Sequence, residues 1–109
     1  MATTYKVLGQ SAPSATTATT LYTVPSATEA VISTIVVANR AAAAKTYRIA
    51  VRPNGATLAD SQYLAYDVPL AANDSIALTL GITVDAADVI TVYASSADLT
   101  FTAFGSEIA

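Results

Sequence analysis

Apolar residues recur at every second position along most of this chain. Lys45 to Arg52 (KTYRIAVR) is the clearest case. Tyr47, Ile49 and Val51 fall on one side, and Thr46, Arg48, Ala50 and Arg52 on the other. That alternation is the mark of a β-strand with one buried face. Ala30 to Asn39 (AVISTIVVAN) is the longest β-branched run and is apolar on both sides. It reads as a central strand, buried on both faces at its middle. Further strands are expected at Thr4–Leu8, Leu21–Val24, Tyr63–Tyr66, Ser75–Leu80, Asp88–Ser95 and Asp98–Phe104.

Turn chemistry separates these runs. Pro53-Asn54-Gly55 combines a preset φ with two residues that tolerate positive φ. Asn73-Asp74 opens one strand, Gly81 breaks it, and Pro25 interrupts another. Ser96-Ala97 has the spacing of a hairpin loop between the last two strands. Ala41–Ala44 and Asp85–Asp88 have room for at most a helical turn. With turns at mostly 8–12-residue intervals, the pattern predicts an all-β fold: a two-sheet antiparallel β-sandwich, jelly-roll or Ig-like, of about eight strands. Residues 1–109 form a single domain, with 9–20 (Ala/Ser/Thr-rich, containing Pro13) an extended arm or loop. The expected core is Val31, Ile35, Val37, Tyr47, Ile49, Val51, Ile76, Leu78, Leu80, Ile90, Val92, Leu99 and Phe101.

Composition narrows the chemistry. The chain has no Cys, His or Trp, so disulfides, thiolate zinc sites, thiol nucleophiles and imidazole bases are not available. Serine has no GxSxG context, and the four glycines are too scattered for a phosphate-cradling loop. Most of the eight acidic residues fall at strand ends or turns, where Asp bonds its own backbone. Asp85 and Asp88 offer oxygen ligands of the kind Ca²⁺ takes, but without EF-hand spacing. No catalytic, cofactor-binding or metal-binding residue is therefore expected, and the protein is read as no enzyme. A net charge of −3 argues against nucleic acid as partner. No apolar run is long enough to span a membrane, and the first twenty residues lack the apolar region of a signal peptide.

Charged residues make up only 12% of the chain, while Ala and Thr fill 40 positions. The outer faces must then be largely Thr, Ser and Ala, a surface suited to packing against neighbouring copies and poorly defended at sheet edges. Arg48 and Arg52 share one strand face; with Arg40 they offer either a solvated outer face or a contact for a partner's carboxylates. Tyr93 lies opposite Ile90, Val92 and Ala94 and joins these arginines as a candidate partner contact. Tyr5, Tyr22, Tyr63 and Tyr66 leave room for a ligand-binding surface.

Six segments carry a family resemblance: TTYKVLGQSAP (Thr3–Pro13), TTLYTVPSAT (Thr19–Thr28), YRIAVRPNGA (Tyr47–Ala56), AANDSIALTLGITV (Ala71–Val84), DVITVYAS (Asp88–Ser95) and FGSEI (Phe104–Ile108). Through them the chain resembles small virion-associated structural proteins of tailed bacteriophages. The resemblance implies a β-sandwich made in the host cytoplasm and located in the virion. It would assemble in multiple copies, as a homo-oligomer and against major capsid or tail proteins. A capsid decoration (cement) protein is the first expectation. A tail, baseplate or fibre component, with a receptor- or carbohydrate-binding module, is the alternative.

Overall fold

A computed structural model describes residues 2–109. Nine strands run in the order β1 (Thr3–Ser11), β2 (Thr19–Thr23), β3 (Glu29–Asn39), β4 (Lys45–Arg52), β5 (Tyr63–Leu70), β6 (Ser75–Leu78), β7 (Ile82–Val84), β8 (Val89–Ala94) and β9 (Leu99–Ile108). They form two antiparallel sheets packed as a β-sandwich. The first has the order β1-β9-β3-β6, with β7 also on β3; the second has the order β2-β8-β4-β5. β6 and β7 pair with successive stretches of β3, so they form one edge strand broken at Gly81, where φ is +61°.

The chain crosses between the sheets at every connection except β4–β5 and β6–β7. Ser96-Ala97 therefore does not close a hairpin. β8 pairs with β2 and β4, whereas β9 pairs with β1 and β3. Ser95–Asp98 instead carries the chain over the end of the sandwich. Loop length alone does not distinguish a turn within a sheet from a short link across two. Helical turns form at Pro53–Gly55 and Asp60–Gln62 rather than at either Ala-rich stretch. Ala41–Ala43 is a bend, and Asp85–Asp88 is a turn closed by the Asp88 N–H on the Asp85 carbonyl.

The core lies between the sheets. Ile35, Val37, Tyr47, Ile49, Ile90, Val92, Leu99 and Phe101 are buried as expected, joined by Leu21, Tyr22, Val24, Ala30, Ile32, Leu70, Val84 and Ala103. Tyr47 and Phe101 meet edge to face across the two layers, with centroids 6.3 Å apart. Val31 does not belong to this core. A bulge between Ile32 and Thr34 shifts the phase of β3, so Ala30 and Ile32 face inward before it and Ile35 and Val37 after it. Ile76 and Leu80 are exposed and Leu78 is half-buried, because this edge strand is short and ends before Leu80. Val51, near the end of β4, is also half-buried. The outer positions of β3 are only partly covered, since no further layer packs on that face.

Within 9–20 only residues 12–18 form a loop, and none of the segment extends away as an arm. Gly9, Gln10 and Ser11 continue β1 against β9, Pro13 is buried, the Thr16 N–H bonds the Ala94 carbonyl, and Thr19 and Thr20 begin β2. Gly9 also brings β1 against β2: a Cβ there would overlap the Leu21 carbonyl oxygen. At the end of the sandwich where the Ser95–Asp98 link also runs, buried Asn39 ties two crossings together. Its amide donates to the Ala43, Leu70 and Ala71 carbonyls and its oxygen accepts the Ala41 N–H.

Candidate functional site

The outer face of the second sheet holds a polar cluster centred on Arg48. Arg48 on β4 pairs across the ladder with Tyr93 on β8. On its other side, β5 bulges so that Tyr66 and Asp67 oppose one residue; Asp67 takes a φ of +50°. The bulge turns both side chains onto Arg48. Its guanidinium lies 4.1 Å from the Tyr66 ring centroid and 4.2 Å from that of Tyr93. It also bonds Asp67 with both prongs, Nε to Oδ1 at 2.7 Å and Nη2 to Oδ2 at 3.3 Å. The hydrogen bond to Asp67 holds the guanidinium firmly protonated. Arg48 and Tyr93, expected as partner contacts, are thus brought together, but Asp67 already matches the Arg48 charge.

The other arginines are separate. Arg52 donates to the Gly55 and Ala56 carbonyls and anchors the turn after β4. Arg40 donates to the Ala97 carbonyl near the Ser95–Asp98 crossing. Neither has a carboxylate in ion-pair range among the described residues. The 53–62 connection packs against β4 and β8, where outer-face positions Ala50 and Thr91 are buried. The Thr91 hydroxyl has no partner there.

Beside Arg48, Tyr63 and Tyr66 meet edge to face at 4.8 Å and 83°. With Asp60 they line an open depression of about 320 Å³, at the small end of the ligand-pocket range. The bulge that assembles this group leaves no pattern in one strand's sequence, since it is defined by pairing with another.

The outer face of the first sheet has a different character. Tyr5 is 84% exposed, Val7 47% and Phe104 40%. With Val31, Ser33 and Ser106 they line a shallow groove of about 590 Å³. The alternation in Thr4–Leu8 already set Tyr5 and Val7 on one face; the extension of β9 through Phe104 to Ile108 supplies the rest.

The carboxylates of the turns are engaged locally. Asp88 accepts the Asn54 and Asp85 N–H groups, Asp85 the Ala86 N–H, Asp74 the Ser75 N–H and Asp98 the Ser96 hydroxyl. Among the described residues no three metal-ligating side chains cluster. Nor, among the described residues, is any helix long and apolar enough to cross a membrane.

Glu107, like Asp67, is engaged within a strand rather than in a turn. It lies on β9, 2.8 Å from the Lys6 ammonium of β1, and accepts a 2.5 Å hydrogen bond from the Tyr22 hydroxyl of β2. These contacts join both sheets at the β1–β2 side. The hydrogen bonds from Lys6 and then Tyr22 hold the Glu107 carboxyl below its ordinary range. Burial, and then the bond to Glu107, raise the Tyr22 phenol. A carboxyl lowered in the folded state stabilises the protein above its unfolded pKa, and that contribution fades as pH falls through the folded value. The denaturant midpoint should therefore drop on acidification below the usual glutamate range, and Glu107→Gln should reduce that drop. An equal acid-induced drop in both proteins would show that Glu107 is not responsible.

No protein-family model matches the chain, and no curated protein matches it.

Proposed function

We propose that this protein is a non-enzymatic structural subunit of a tailed-bacteriophage virion, repeated in many copies on the capsid as a decoration protein. The observation that carries this reading is the outer face of the first sheet. There Tyr5, Val7 and Phe104 stand exposed among Ser and Thr positions. Exposed aromatics on a charge-poor sheet suit burial against a neighbour. Symmetry multiplies a contact too weak to hold alone. Arg40 and Arg52, which have no carboxylate in ion-pair range among the described residues, supply a second contact to acidic groups of a capsid or tail protein. The family resemblance supports the same role, as does a composition without His or Cys.

Truncation from the N-terminus cannot test this, because removing residues 1–17 would delete β1 and expose β9. The test is the pair Tyr5→Ser and Phe104→Ser, both at exposed positions. The double variant should keep the β-type circular dichroism of the parent and lose incorporation into particles. Unchanged incorporation would rule out this face as the contact.

The second reading is a tail, baseplate or fibre component with a receptor- or carbohydrate-binding module. The depression at Asp60, Tyr63 and Tyr66 favours it.

A further inference from the structure

The cluster around Arg48 shows how this surface holds a cation. A guanidinium sits on tyrosine rings and is closed by a carboxylate, here Tyr66, Tyr93 and Asp67. Immediately beside it lies a similar set of groups, sharing Tyr66 with the first, whose carboxylate has no cation of its own among the described residues. Tyr63 and Tyr66 stand nearly perpendicular and, with the exposed side chain of Asp60, line the 320 Å³ depression. Among the described residues the Asp60 carboxylate has no ion-pair partner and accepts no hydrogen bond, unlike those of Asp67, Asp74, Asp85, Asp88, Asp98 and Glu107. Arg48 and Asp67 cancel one another, so Asp60 leaves the depression with one net negative charge. Tyr66 is 55% exposed, so part of its ring is open to a ligand.

We propose that the Asp60–Tyr63–Tyr66 depression takes the guanidinium of an arginine side chain presented by a partner protein. The planar cation would pack on the tyrosine rings, where the ring quadrupole attracts it. Its N–H groups would donate to Asp60, the fork geometry matching a carboxylate. The depression has room for one side chain rather than an extended ligand. This inference does not depend on the virion role; a partner in any assembly would serve.

The experiment is an NMR titration of the full chain with N-acetyl-arginine amide, following the ring protons of Tyr63 and Tyr66. N-acetyl-citrulline amide is the neutral isostere, and a methyl glucoside is the saccharide probe. The arginine compound should shift both rings saturably, with a dissociation constant of about a millimolar or weaker, as fits one side chain on an exposed site. Asp60→Asn, at an exposed position, should weaken binding about two- to five-fold, and added salt should weaken it further. Citrulline binding as well as arginine, or Asp60→Asn without effect, would overturn the proposal. So would shifts produced by the glucoside alone, which would assign the depression to a saccharide. Loss of virion incorporation in the Tyr5/Phe104 variant with arginine binding intact would separate this inference from the assembly role.

Discussion

Ile49→Ala is expected to destabilise the protein by about 2–5 kcal/mol, through lost burial and the cavity left behind. Ile49 is fully buried at the middle of β4, which is hydrogen-bonded on both sides, to β8 and β5. It belongs to the same core as Tyr47 and Phe101, whose rings already touch across the layers, so little can move in to refill the space. Val51, two residues along the same face, is half-buried, and Val51→Ala should cost visibly less. Urea unfolding of both variants checks this. Equal losses would contradict the deeper burial of Ile49 than of Val51.

Gly105→Ala should be nearly as damaging, at about 3 kcal/mol, the upper end of what overpacking costs. Gly105 lies in β9 between β1 and β3, paired with Lys6 on one side and Ile32 on the other. A Cβ there would overlap the carbonyl oxygen of Val31, an atom of the backbone itself. A side chain could swing away; a strand held in a central ladder cannot move without breaking pairs. Gly81 provides the comparison. It has a φ of +61° and nothing near its missing Cβ, so Gly81→Ala meets only the left-handed backbone penalty of about 1–2 kcal/mol. Thermal melts of the two variants should rank Gly105→Ala well below Gly81→Ala. The reverse order would contradict the β3–β9 register.

The strands whose sequence states a clear period were legible because one face of each is buried. β4 and β8 each state such a face, which carries Ile49, Ile90 and Val92 inward as the sequence predicts, although Ala50, Val89 and Thr91 are also buried on the other side. Local periodicity carries phase but not partnership. Val31 reads as core from the period of the run, but the bulge at Ile32–Thr34 inverts the phase of β3 partway along. Ser96-Ala97 looked like a hairpin because a link between sheets has the same length and residues as a turn within one. The expected last strand stops at Phe104, whereas β9 runs to Ile108; only the contacts of Glu107 with Lys6 and Tyr22 show why a carboxylate belongs there. The arginine cluster was half legible. Arg48 and Tyr93 each lie on the outer parity of their strands, but Tyr66 and Asp67 join them through a bulge that exists only once β5 has paired with β4. Arg52 and Arg40 read as docking charges in sequence; in the structure Arg52 also holds two carbonyls of its own chain and Arg40 one, and among the described residues neither is matched by a carboxylate.

The assembly role is tested most directly by microscopy of purified native particles carrying a gold label on this chain. A decoration subunit gives label in many copies, evenly spread over the capsid surface. Label confined to the tail or fibre tip would contradict the capsid assignment. A chain that stays monomeric at high concentration and is absent from the particles would contradict the virion role altogether.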